Sequence, residues 1–147
     1  MRRALVFLGA ALLVTFGAAL AQQKENPQEA PPPSVPADDA AKKNPVKSTP
    51  EGLANAKKLF GYHCAMCHGE HGDGKGDLAE SMKLQLNDWR NPETISKYTD
   101  GALFYIVTNG RGKMVGGEGD RTKEELRWNL VNLVRSFGKK AAEPAKP

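Results

Sequence analysis

The sequence predicts an all-α domain of about four short helices, and three observations carry that prediction. Between residues 51 and 138, apolar residues recur at helical spacing in separate stretches, each opened by a capping residue or a proline. Glycine-rich segments punctuate the chain between those stretches. One pentapeptide, Cys64-Ala65-Met66-Cys67-His68, holds both cysteines of the 147-residue chain.

Thr49 is the cap expected for the first helix, with Pro50 at its opening position and Leu53, Ala56, Leu59 and Phe60 as its apolar face. Leu78, Met82 and Leu86 fall on one helical face and predict a short helix with Met82 in the core. Asn91-Pro92-Glu93 opens another short helix. Asp100 is the expected cap of the next, whose Leu103, Ile106 and Val107 face inward before Gly110 stops it. Thr122-Lys123-Glu124-Glu125 reads as a capping box that opens a last helix through Leu126, Leu130, Leu133, Val134 and Phe137. Trp128 lies off that stripe and is expected to cover either the edge of a bound group or the surface.

Outside residues 51–138 the chain changes character. Residues 1–21 begin Met1-Arg2-Arg3, run uncharged to Leu20 and close on Ala19-Leu20-Ala21, the pattern of a signal peptide cleaved after Ala21. The other reading is an uncleaved anchor, because the apolar run is near the shortest that spans a bilayer. Both imply a periplasmic or extracytoplasmic protein, either soluble or tethered to the membrane by its N-terminus. Residues 22–50 hold seven of the ten prolines and read as a disordered linker, a tether or a plain spacer. Residues 139–147 read as a disordered tail.

One domain of this size excludes a multidomain enzyme. Within it acidic and basic residues are equal in number, so the chain's basic excess lies in its flanks, and a nucleic-acid partner loses its main support. A core this thin leans on a metal, a disulfide or a cofactor, which directs attention to the cysteines.

Cys-x-x-Cys-His in an exported chain is the attachment signature of a c-type haem. Two thiols three residues apart share one turn, so each can add to one vinyl group of a single porphyrin. The next residue, His68, then lies beneath the iron as proximal ligand, with its second ring nitrogen free to donate a hydrogen bond. A zinc site lacks further ligands, since the other histidines are only His63 and His71, to which no role is assigned. A thioredoxin-type dithiol should follow a strand, whereas residues 54–62 have helical periodicity.

For the sixth position on iron, Met66 lies inside the attachment turn and Met82 reads as core. Met114, in the glycine-rich run Asn109 to Gly117, is therefore the expected distal ligand, with pentacoordinate iron or a histidine ligand as the alternatives.

These features resemble the class I c-type cytochromes over most of residues 51–138. The resemblance is carried by Leu59-Phe60 ahead of the attachment motif, by Gly72-Asp73-Gly74-Lys75-Gly76, by Asn109 to Met114 and by the closing helix. It implies a cytochrome c-like fold, all-α, around one covalent haem c, with the first and last helices crossing where Ala56 and Phe60 meet Leu130 and Val134. Ala56 stands where a glycine is usual, which opens the crossing slightly. Asp77 replaces a proline whose carbonyl serves the proximal histidine, keeping the carbonyl but not the rigidity. Val115 replaces a proline after the methionine. Trp89 and Arg111 resemble positions that hydrogen-bond a haem propionate, against the plain readings of a core tryptophan and a solvated arginine.

The function implied is a monomeric single-electron carrier rather than an enzyme, exchanging electrons with donor and acceptor redox proteins in a respiratory-type chain. Two other readings stay open: a gas-binding haem domain with a labile distal ligand, and a tethered electron-entry subunit of a membrane oxidase or reductase.

Overall fold

The computed structural model describes residues 35–142. The expected leader at 1–21, the linker as far as residue 34 and the tail from 143 lie outside the described residues. In chain order the elements are α1 (Ala37–Ala40), α2 (Pro50–His63), α3 (Ala65–His68), α4 (Asp77–Ser81), α5 (Pro92–Ser96) and α6 (Asp100–Asn109). A two-stranded ribbon follows, β1 (Gly110–Arg111) and β2 (Met114–Val115), then α7 (Glu118–Arg121) and α8 (Glu124–Ala142). The architecture is all-α, as the helical spacing predicts. Single-turn helices too short to show a period bring the helices among the described residues to more than four. None of the helices among the described residues is long and apolar enough to cross a membrane.

Helix starts follow the local signals closely. The Thr49 hydroxyl accepts from Gly52 N at 3.0 Å with Pro50 in the first turn of α2, and Asn91 Oδ1 accepts from Glu93 N at 2.9 Å at the start of α5. Two starts differ by one residue. Thr99, not Asp100, caps α6, its hydroxyl accepting from Ala102 N at 3.1 Å, because the Asp100 carboxylate is taken by Arg135 Nε at 2.9 Å. The capping box at Thr122 is also misplaced: its hydroxyl donates backwards to the Glu118 carbonyl at 2.7 Å, and the Lys123 carbonyl accepts the first bonds of α8. At its far end α8 runs through Ala142, past the expected domain end at 138.

The core forms where α2 packs on α8. Ala56, Phe60, Leu130 and Leu133 make one buried cluster. Val134, expected in that group, instead joins Ile95, Leu103, Trp128 and Val131 in a second. The tight point of the α2–α8 crossing is not at Ala56, which is itself fully buried, but one turn earlier. A Cβ on Gly52 would strike Asn129 Oδ1 and crowd the Thr49 hydroxyl, so the glycine is needed there. Arg135 ties α8 to the α5–α6 corner by donating to the Ile95 carbonyl at 2.7 Å and to the Tyr98 carbonyl as well as to Asp100.

Trp128 corrects both expectations made for it. It is 3% exposed, its ring stacks on Phe104 at 3.9 Å and 15°, and its Nε1 donates to Glu124 Oε1 at 3.2 Å. Chain upstream of α2 adds to that cover. Residues 35–49, expected to be linker, lie against the α6 and α8 side. Asn44 Nδ2 donates to the Trp128 carbonyl at 3.1 Å and to Asn132 Oδ1 at 3.0 Å, Asn132 Nδ2 donates to the Val46 carbonyl at 3.1 Å, and Val46 packs on the second cluster. The Thr99 hydroxyl reaches the Ala40 carbonyl at 2.6 Å, and Gly101 is pressed against the carbonyls of Asp39, Ala40 and Lys42. Polar side chains thus hold a segment too poor in apolar residues to fold alone. Replacing Asn44 with alanine is expected to cost about 1–2 kcal/mol in urea unfolding of the matured protein, through the loss of two part-buried hydrogen bonds. An unchanged midpoint is what a free linker would give.

Met82 is a second correction. It is 48% exposed and Leu78 38% exposed, because α4 is a single turn that ends at Met82 and has no second turn to face inward. Of α4 only Ala79 is buried.

Candidate functional site

The attachment turn is built from both sides. α2 ends at His63, and Cys64 N still bonds back to the Phe60 carbonyl at 2.8 Å, so the core-facing Phe60 fixes where the turn begins. Cys67 N and His68 N then both return to the Cys64 carbonyl, at 3.1 and 2.9 Å, winding the pentapeptide into the one-turn α3. Gly69, at φ 73°, ends it. The following loop folds back onto the turn, with Gly74 N on the His68 carbonyl at 2.9 Å and Gly76 N on the Cys67 carbonyl at 3.1 Å. A Cβ at Gly76 would collide with the carbonyls of Ala65 and Met66, which explains the glycine there.

Both thiols are free and half-buried. Burial, with Glu118 and then Cys67 adding, pushes the Cys64 thiol up to about 12, so it stays protonated at neutral pH. Burial alone pushes the His68 imidazole down to about 4. It is therefore neutral at ordinary pH, the form that binds a metal. Its Nδ1 is buried with no hydrogen-bond partner among the described residues. The Asp77 carbonyl expected to serve it does not: Asp77 is already the first residue of α4, and Nδ1 meets no acceptor there.

Trp89 lies directly on the site. Its ring stacks on that of His68 at 4.1 Å and 21°, and its backbone is pinned by Trp89 N donating to the Gly72 carbonyl at 2.8 Å. Cys64, Cys67, His68 and Trp89 thus gather around one turn. Arg111 and Met114 form a separate pair, facing each other across the ribbon, with Gly112 at φ 58° in the two-residue loop between them. The run expected as a plain glycine-rich loop is therefore a hairpin that leaves Met114 half-buried and Val115 85% exposed. The Arg111 guanidinium donates to the Tyr98 hydroxyl at 3.2 Å and lies 5.7 Å over that ring. Asn87 reaches the same hydroxyl at 3.5 Å.

Two features escaped the sequence. His63, assigned no role, has Nδ1 at 3.3 Å from Glu118 Oε1, and Arg121 meets the same oxygen at 3.1 Å. This buried carboxylate faces the attachment turn, raising the Cys64 thiol. Arg127 clamps the segment after Met114 from below, donating to the carbonyls of Glu118, Gly119 and Thr122 at 3.2, 2.9 and 2.8 Å. His63 and Glu118 are too far apart in sequence to leave a periodic trace, and Arg127 bonds to main-chain carbonyls, which no side-chain pattern marks.

The donor set fits a covalently bound haem: two free thiols a helical turn apart, and a neutral imidazole whose second nitrogen is orphaned. Among the described residues no three His, Cys, Asp or Glu side chains converge as a metal cluster, so a zinc site finds no further ligands. An all-α fold carrying this turn is that of a c-type cytochrome. Over residues 51–134 the sequence matches the family described as cytochrome C oxidase, cbb3-type, subunit III, and the chain belongs to that family. Family membership implies a covalent haem c and haem-based electron transfer. Among solved structures the chain is similar to the KustC0563 c-type cytochrome, at 27% identity over 56% of this chain and 95% of that one, with a TM-score of 0.49. No curated protein matches it.

Proposed function

We propose that this chain is a single-electron carrier of an extracytoplasmic respiratory-type chain, in which Cys64 and Cys67 would bond the haem c and His68 and Met114 would ligate its iron. The observation that carries the reading is the attachment turn, with two free thiols beside a buried, neutral His68. Bound there, haem c supplies reversible one-electron exchange at iron. His68 is offered unprotonated and held by the loop that folds back on it. Met114 sits in a hairpin whose continuation is clamped by Arg127, which favours one ligand pair in both oxidation states and so small reorganisation. Arg111, ordered by Tyr98, is assigned to a haem propionate. Donor and acceptor proteins would dock on a monomer through a small, short-lived interface.

A second reading is favoured by two observations. The family description names an oxidase subunit, and residues 35–49 are packed rather than free, so any anchor upstream would hold the domain at a fixed exit point. That reading changes partner and anchoring, not chemistry.

The test is a redox titration of the matured holoprotein, with carbon monoxide added to the ferrous form. A one-electron Nernst curve and a ferrous spectrum indifferent to carbon monoxide are expected. A spectrum that shifts at once with the gas would replace the carrier by a gas-binding domain.

A further inference from the structure

A histidine that ligates a metal is ordinarily held by a hydrogen bond from its other ring nitrogen, which fixes its rotation and increases its electron donation. His68 has no such bond among the described residues. The loop that folds back on the turn bonds to its main chain, the carbonyls of Cys67 and His68 accepting from Gly76 N and Gly74 N, and Asp77, whose carbonyl was expected to serve the ring, opens α4 instead. What the imidazole has is a flat neighbour. The Trp89 indole lies 4.1 Å away and 21° from parallel, close to ring contact.

That indole is not free to follow the imidazole. Its main chain is bonded to Gly72 in the loop that leaves the attachment turn. Behind it stands Phe60, 6.4 Å away and tilted by 58°, which is buried in the α2–α8 core and rests on Phe137 at 5.4 Å. Gly72 is itself pressed against Phe137, where a Cβ would fall 2.7 Å from the ring. The order His68, Trp89, Phe60, Phe137 therefore runs as one series of ring neighbours from the turn to the buried Phe60 and on to Phe137. The last torsion of a histidine is broad and twofold, so an imidazole without a hydrogen bond would rotate unless a surface prevents it.

We propose that Trp89 is the positioning residue of this centre, its indole face setting the rotation of the His68 ring in place of a hydrogen bond at the second nitrogen. The inference rests on His68 being the axial ligand, as argued under Proposed function. It differs from the expected propionate contact because it acts through the ligand, not through the haem periphery. An imidazole held by stacking keeps its Nδ1 proton to itself, so it donates less to iron and favours the ferrous state more than a hydrogen-bonded one.

The test uses the matured holoprotein and reads the haem methyl resonances of the ferric state by proton NMR, which report the orientation of the axial ligand plane. Trp89→Leu removes the flat face, Trp89→Phe keeps a smaller one, and Phe137→Leu loosens the same aromatic stack without touching His68. Trp89→Leu is expected to reorder the methyl resonances, Trp89→Phe to retain the parent order, and Phe137→Leu to lower the melting temperature with the order unchanged. A parent-like pattern in Trp89→Leu overturns the proposal, as does an equal rearrangement in Phe137→Leu. Should Trp89→Leu fail to mature, the ferrous parent decides: contacts between the His68 Nδ1 proton and the indole support the proposal, and a strongly hydrogen-bonded Nδ1 proton overturns it. A parent without a nitrogen-ligated low-spin signal fails the ligand assignment itself, an outcome separate from an indifferent Trp89.

Discussion

Replacing Phe60 with alanine is expected to destabilise the folded protein by about 3–5 kcal/mol. Native stability for a domain of this kind is about 5–15 kcal/mol, so the variant stands near the edge of folding. Phe60 is 3% exposed and sits where three groups converge: the buried faces of Leu130 and Leu133 on α8, the Phe137 ring, and Trp89. Alanine removes the transfer energy of the ring and leaves a cavity among Leu130, Leu133, Phe137 and Trp89. The control is Tyr62→Ala, two residues on in the same helix but 80% exposed, for which the change should stay within about 0.5 kcal/mol. Guanidinium unfolding of the matured holoprotein measures both. A Phe60 loss no larger than the Tyr62 loss would mean that α2 and α8 do not form the common core described above.

Features encoded by neighbouring residues could be read from the sequence. Thr49-Pro50 and Asn91-Pro92 cap their helices as expected because a cap needs only a hydroxyl or amide and the next two or three residues. Gly110 stops α6 for the same local reason, at φ 80°. The attachment turn was legible because its chemistry lies in five consecutive residues. Competing local signals explain the near misses. Asp100 and Thr99 both have cap chemistry, and only the distant Arg135 decides which is used.

What could not be read depends on partners far along the chain. Trp128 is off the α8 stripe defined by Leu126, Leu130 and Leu133, and its burial comes from Phe104 on α6 and from the segment around Val46, which itself looked like linker. That segment lacks periodicity because it is held by Asn44, Asn132 and Thr99 side chains rather than by an apolar face. Met82 misled in the opposite direction: its spacing from Leu78 implies a continuous helix, but α4 ends after one turn. At the site, the His63–Glu118 pair and the stacking of Trp89 on His68 join residues with no common motif.

Met114→Ala is expected to convert the ferric protein from low-spin to high-spin, to abolish the methionine-to-iron charge-transfer band seen in absorption and magnetic circular dichroism, and to lower the reduction potential. A soft thioether favours ferrous iron, and each tenfold loss of that preference lowers a one-electron potential by about 59 mV. A hundredfold loss is thus about 120 mV. The sequence left Met82 aside as a core residue, but its exposure removes that reason and makes it the competitor to be tested. The two differ in support. Met114 belongs to a paired strand opposite Arg111, within a segment clamped to α8 by Arg127 and joined to α6 by Gly117 N on the Thr108 carbonyl at 3.2 Å. Met82 hangs at the end of a one-turn helix. A ligand that must hold iron in both oxidation states needs the better-supported backbone, so Met82→Ala should leave band, spin state and potential as in the parent. Loss of the band in Met82→Ala, with Met114→Ala unaffected, would transfer the ligand to α4. A parent already high-spin would mean that neither sulfur binds and would return the gas-binding reading to first place.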